Sequence, residues 1–183
     1  MISSLLNLES TRADSCVNPE PNTCDYYSQC LEKYLPCGAK GYALGYGKRY
    51  CHRFLRENRF SAQGEIWRNA TLICLQRELA FRDWDSDPLT CREIKDFAFD
   101  SHPVCYTQPG VSVCELDVPD LKLILNTIDG PDFLSLRGLK QMKAVARICL
   151  KHLQRRPNSR SNLGDPSLDE TIEERIRFWR SKL

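Results

Sequence analysis

Apolar positions along the chain recur at steps of three and four, with almost no alternation of period two, and that periodicity predicts helices. Residues 1–23 read as irregular, because Pro19 and Pro21 each lack an N–H donor. A first helix is predicted from Cys24 to Leu35, with Thr23 as N-cap, Asp25 in the favourable first turn and Pro36 as its stop. Tyr50, Cys51, Phe54 and Leu55 mark a short helix over 48–57, with Asn58 as C-cap. Ser61 then caps a longer helix whose stripe runs through Ile66, Trp67, Ala70, Ile73, Cys74 and Ala80 to about Arg82. Trp67 reads as packing rather than as a ligand platform.

The next helix is predicted from Leu89 to Ser101, with Asp87 as cap and Pro88 at its first position. His102-Pro103 is expected to end it, with His102 bonded to a terminal carbonyl. Asp117-Val-Pro119 opens a further helix carrying Leu121, Ile124, Leu125 and Ile128, and Gly130-Pro131 breaks it. Asp132 is expected to cap a long helix through Phe133, Leu136, Leu139, Met142, Val145, Ala146, Cys149 and Leu153. Turn formers make 155–166 a linker. Ser167-Leu-Asp-Glu170 has the capping-box pattern, and Leu168, Ile172, Ile176, Trp179 and Leu183 form one stripe behind it. A helix this short needs tertiary contacts, so docking or self-association is expected of it. The segment from Cys37-Gly38 to Gly47 reads as a Gly-rich loop whose Tyr42 and Tyr46 fold back onto the domain, and its spacing fits no phosphate-binding motif. The fold class is therefore all-α. Its predicted parts are an irregular segment over 1–15, a helical domain over 16–154, a linker over 155–166 and a separate C-terminal amphipathic helix over 167–183.

Composition adds one strong fact. Ten cysteines are spread between Cys16 and Cys149 among 183 residues. An even, dispersed set reads as disulfides in an oxidising compartment. Zinc would want short C-x2-4-C pairs, whereas the closest spacing is Cys24 to Cys30, and only His52, His102 and His152 accompany them. Cys24 and Cys30 lie roughly 240° apart around a helix, so they should seek different partners. Hydrophobic residues at 42% and charged residues at 27% are ordinary for a globular chain, which argues against wholesale disorder. With 26 basic and 24 acidic side chains, the net charge of +2 gives no reason to expect nucleic acid as the partner. No apolar run is long enough to span a membrane. Residues 1–9 lack the basic and apolar regions of a signal peptide, so for an extracellular protein the signal peptide is expected to be missing from this sequence.

Three motifs bear on chemistry. Asp83, Asp85 and Asp87 match the first slots of a calcium loop, but Pro88 replaces the glycine and Ile94 stands where the bidentate Glu belongs, so a capped turn is expected. Tyr46-Gly47 with Cys51-His52 loosely resembles a secreted phospholipase A2 site, but no Asp follows His52 and no paired cysteines precede it. Asn69-Ala-Thr71 is the chain's glycan acceptor triplet, usable if the protein is secreted and Asn69 faces solvent.

The ordered cysteines, together with Cys30-Leu-Glu, Cys51-x-x-Phe54, Phe60-x-x-Gln63-Gly64-x-x-Trp67 and Leu72-Ile73-Cys74-Leu75, resemble the stanniocalcin family of secreted glycoprotein hormones. Cys91, Cys105-Tyr106, Val113-Cys114 and Cys149-Leu150 follow in the same order, and the resemblance covers about residues 16–150. It implies the pairs Cys16–Cys30, Cys24–Cys51, Cys37–Cys91, Cys74–Cys105 and Cys114–Cys149. It also implies a secreted, non-enzymatic regulator without a cofactor, acting in calcium and phosphate balance or on an extracellular protease, with a protein receptor or that protease as partner. The chain departs from the family in four ways. The eleventh cysteine, which joins two family chains, is missing, so any homodimer would be non-covalent. The Cys37–Cys51 loop is longer, the sequon is displaced, and the C-terminal tail does not match. Two alternatives stand beside this reading: a phospholipase A2-like enzyme using His52, and a structural extracellular or toxin-like module.

Overall fold

The computed structural model describes residues 16–80, 89–155 and 166–183. Among these residues there are helices and turns and no strand, so the protein is an all-α, disulfide-stapled fold. The chain divides into two compact units. The first comprises Met1–Asn58 and Arg68–Ser101, and the second Arg59–Trp67 and His102–Leu183. The Ala62–Ala80 and Cys91–Tyr106 helices contribute residues to both.

In the first unit, the Tyr27–Leu31 π-helical turn leads into Glu32–Tyr34, and a second π-helical stretch, Ala43–Lys48, runs on into Arg49–Arg56. The expected Gly-rich loop is thus partly helical. Within that segment only Gly38, at φ +72°, takes the left-handed conformation of a turn glycine. Gly47 serves close packing instead: a Cβ there would overlap the Tyr27 ring. Tyr42 is buried, stacks on Tyr46 at 6.4 Å and meets Phe99 edge-on at 6.0 Å, which places both tyrosines on the domain as expected. Tyr26, Leu31, Phe54, Leu72, Leu75, Leu79, Ile94 and Ala98 complete this core. Thr23 does not cap the first helix. Its hydroxyl donates to the Glu20 carbonyl (3.2 Å), while its own carbonyl accepts from the buried Gln76 amide (3.0 Å).

The Cys91–Tyr106 helix starts later than predicted, under a reciprocal capping box. Glu93 Oε2 accepts from the Thr90 N–H (2.8 Å) and hydroxyl (2.7 Å). Asp83, Asp85 and Asp87 lie outside the described residues. The helix also continues through Pro103, where an end was expected. Proline removes one helical hydrogen bond, but the turn beyond it belongs to the second unit and is fixed by residues of that same unit. Cys105 is fully buried, and the Tyr106 carbonyl accepts from Trp67 Nε1 (3.0 Å).

In the second unit, Val118–Thr127 is helical as the pattern predicts, and Gly130–Phe133 forms a short helix of its own. Asp132 lies inside that short helix and does not cap the long one. The Leu136–Arg155 helix is entered through Ser135, whose hydroxyl accepts from the Gly138 N–H (3.0 Å). Its Val145, Ala146, Cys149, Leu150 and Leu153 are buried, so the predicted stripe faces inward from Val145 onward, whereas its earlier members Leu136 and Leu139 are exposed. The Pro166–Arg180 helix packs on it, burying Trp179, and Arg175 pairs with Asp117. The linker lies almost wholly outside the described residues. Among the described residues no helix is long and apolar enough to cross a membrane.

Candidate functional site

Every cysteine is disulfide-bonded. The structure joins Cys16 to Cys30, Cys24 to Cys51, Cys37 to Cys91 and Cys114 to Cys149, and Cys74 and Cys105 are likewise bonded. Cys24 and Cys30 take different partners, as their opposed directions require. Thiolates for a zinc site are therefore consumed.

The Phe60-x-x-Gln63-Gly64-x-x-Trp67 run enters the second unit's core. Ser61 caps its helix by accepting from the Gly64 N–H (3.0 Å). Ser61 in turn donates its N–H (3.0 Å) and hydroxyl (2.5 Å) to the two carboxylate oxygens of Asp120, which is buried. A buried carboxylate needs such donors. A Cβ at Gly64 would stand 2.6 Å from Asp120 Oδ2, so glycine is the residue that lets the carboxylate in. Phe60 and Trp67 are buried on either side of this lock, while Gln63 is exposed. The motif's chemistry is structural. Asp120, the partner that explains its glycine, lies 59 residues from Ser61, and no local pattern marks it.

His102 is half-buried and lies inside the Cys91–Tyr106 helix. Its ring stacks on Tyr106 at 5.4 Å, and Gln141 hydrogen-bonds both side chains. Desolvation pushes the imidazole down to about 4, against the raising influence of Gln141, and pushes the Tyr106 phenol up to about 12. A group so hard to protonate holds a neutral imidazole at neutral pH.

Asn69 sits within the Ala62–Ala80 helix, half-buried, and its Oδ1 accepts from Arg68 Nε (3.0 Å). Thr71, the third residue of the triplet, is buried. An oligosaccharyl group would therefore have to be attached before this helix packs. His52 stands on the Arg49–Arg56 helix, none of whose residues is acidic.

The most distinctive surface is a ladder of cations and rings on the first unit. Lys95 Nζ lies 3.9 Å from the Tyr46 ring centroid. The Arg49 guanidinium is 5.8 Å from Tyr46 and 4.6 Å from Tyr50, and Arg53 is 5.4 Å from Tyr50. Arg49 also donates to the Tyr50 hydroxyl (3.0 Å). Phe99 meets Tyr46 edge-on at 5.5 Å, so the ladder is fastened to the core. Tyr and Arg held in this way are the side chains that dominate binding at protein surfaces. The sequence shows the tyrosines and the bases, but only the packing of the Cys91–Tyr106 helix brings Lys95 to Tyr46. No family model, curated protein or solved structure matches this chain.

Proposed function

We propose that this chain is a secreted, non-enzymatic regulatory protein of the stanniocalcin type, acting by binding a receptor or an extracellular protease. The observation that carries the reading is the engagement of all ten cysteines in disulfides, a state that persists in oxidising compartments. The staples span 14 to 54 residues of sequence. Each contributes roughly 2–4 kcal/mol by constraining the unfolded chain. A scaffold fixed in this way presents surface side chains at a reduced ordering cost on binding. With no cysteine free for an interchain bond, a homodimer of this chain is non-covalent.

The test is expression behind a signal peptide in eukaryotic cells, followed by disulfide mapping of the medium by mass spectrometry. Five intrachain pairs are expected, and free thiols at most positions would overturn the compartment. Peptides covering Asn69 report in the same experiment whether the triplet is modified. Regulatory action is scored on the purified protein, by inhibition of the metalloprotease pregnancy-associated plasma protein A and by calcium and phosphate flux across epithelial cells. No effect in either assay would remove the hormone-type reading while leaving secretion standing.

A further inference from the structure

The Leu136–Arg155 helix carries six bases, Arg137, Lys140, Lys143, Arg147, Lys151 and Arg155, and no acid. The whole chain has 26 bases and 24 acids, and setting these six aside leaves 20 against 24, so the remainder is net negative. At 100° per residue all six fall within an arc of about 120°. The buried Val145, Ala146, Cys149, Leu150 and Leu153 occupy the other side. All six bases are exposed. Arg137 and Lys140 are already engaged by neighbours. Among the described residues, no hydrogen bond, ion pair or ring contact engages Lys143, Arg147, Lys151 or Arg155. These four recur at steps of four along about 18 Å of axis. Like charges at that spacing repel and disfavour the helix. The helix dipole favours Arg155, in the last turn, but its influence does not reach the other three. A solvated face would account for the charge alone, yet the same face also exposes apolar side chains. Leu134, Leu136, Leu139 and Ile148 are four of the nine large hydrophobic side chains exposed among the described residues. Leu136, 88% exposed, lies inside the basic arc, and Ile148, 40% exposed, lies at its edge. Exposed apolar groups scattered singly are ordinary, whereas a concentration of them marks an interaction surface.

We infer that this face binds an acidic amphipathic segment of a protein partner. The inference deepens the binding function proposed above and rests on it for the partner being an extracellular protein; the charge and exposure of the face do not. Carboxylates spaced by one helical turn meet the four unengaged bases in register, and apolar side chains beside them cover Leu136 and Ile148. The row drifts by about 40° at each step and about 120° in all. A narrow segment lying obliquely across the helix can follow that drift, and a flat surface such as a bilayer cannot. A sulfated polysaccharide could meet the bases, but it offers nothing to Leu136 or Ile148. Charge pairing at an exposed face orients the partner and speeds its arrival. Burial of the apolar side chains then holds it.

The experiment uses the purified full chain with its disulfides intact. The probe is a fluorescent, helix-forming synthetic peptide with Glu at every fourth position and Leu beside the Glu row, and its binding is read by anisotropy at several NaCl concentrations. A second peptide of the same charge has Ala in place of each Leu. The Leu peptide should bind about ten-fold more tightly or better, and the affinity of both should fall with salt. Lys143→Gln/Arg147→Gln/Lys151→Gln should weaken the Leu peptide roughly ten-fold at low salt and remove most of the salt dependence. Arg147→Gln alone, at an exposed position, should cost about two-fold and guards against misfolding of the triple variant. Leu136→Ala/Ile148→Ala should weaken the Leu peptide by about ten-fold, leaving the Ala peptide and the salt dependence as they were. Arg77→Gln/Arg92→Gln/Lys122→Gln makes the same charge change at exposed positions on three different helices and should keep the wild-type affinity within about two-fold. Equal losses in the two triple variants would overturn the inference, because bulk charge would then suffice. Equal binding of the two peptides, or no binding of the Leu peptide, would also overturn it. So would heparin bound more tightly than the Leu peptide, by pointing to a sulfated polysaccharide. Protease inhibition and ion flux are scored separately, so those assays can fail while the peptide binds, and the peptide can fail while they succeed.

Discussion

Replacing Gly64 by Ala tests the lock at the start of the Ala62–Ala80 helix, and it does so by sign as well as size. At an unobstructed helical position, Gly→Ala stabilises by about 1 kcal/mol. Here the added Cβ would stand 2.6 Å from Asp120 Oδ2, 2.8 Å from its Cγ and 2.9 Å from Phe60 Cδ1. Those atoms are buried, and the carboxylate is tied to Ser61 by two hydrogen bonds. Crowding a packed site costs about 1–3 kcal/mol. Displacing the carboxylate also weakens charged hydrogen bonds worth about 1.5–3 kcal/mol each. After the propensity gain, a net loss of about 2 kcal/mol is expected. Guanidinium unfolding of the oxidised protein, followed by far-ultraviolet circular dichroism, should show the midpoint falling by about 0.5 M for a slope near 4 kcal/mol/M. In an Asp120→Ala background the Gly64→Ala penalty should shrink, because the obstructing atoms are gone, giving a coupling of about 1 kcal/mol or more. A Gly64→Ala protein as stable as the wild type, or more so, would refute the reasoning.

Gly130→Ala is the matched control: nothing lies within 4 Å of its added Cβ, so the same melt should show no loss. Thr90→Ala removes the capping box of the Cys91–Tyr106 helix and should cost about 1 kcal/mol by the same assay. Trp67→Phe keeps a ring but loses the Nε1–H bond to the Tyr106 carbonyl, for an expected loss of about 1–3 kcal/mol. His102 titrates lower in the folded protein than in the unfolded chain, so its neutral form is the one folding favours. Its contribution is complete above about pH 6.5 and is lost as pH falls towards 4. At 1.36 kcal/mol per unit this amounts to about 3 kcal/mol. His102→Gln should flatten that part of the stability–pH curve relative to the wild type, and identical curves would remove His102 from the account.

What the sequence determined by itself is the material settled by local periodicity and by cysteine chemistry. The three- and four-residue recurrence fixed the all-α class, the Ser61 cap, the Val118–Thr127 helix and the inward face of Leu136–Arg155 from Val145 onward, because each depends on neighbours within one or two turns. The even, dispersed cysteine count pointed to disulfides, and the opposed directions of Cys24 and Cys30 separated their partners.

The tertiary structure decided wherever a local signal was answered from far away in the chain. Glycine at 47 suggested a loop, but it is a contact with Tyr27. Proline at 103 suggested a helix end, but the next turn is held by the buried Cys105 and by Trp67. Asp132 offered a cap, and the hydroxyl of Ser135 supplied it. The glycine of the Phe60–Trp67 run and the cation row over Tyr46 have the same cause: Asp120 and Lys95 arrive from distant helices. Local propensities are worth a fraction of a kcal/mol to about one each. A buried carboxylate lock or a packed ring is worth several, and so where the two conflict the packing decides.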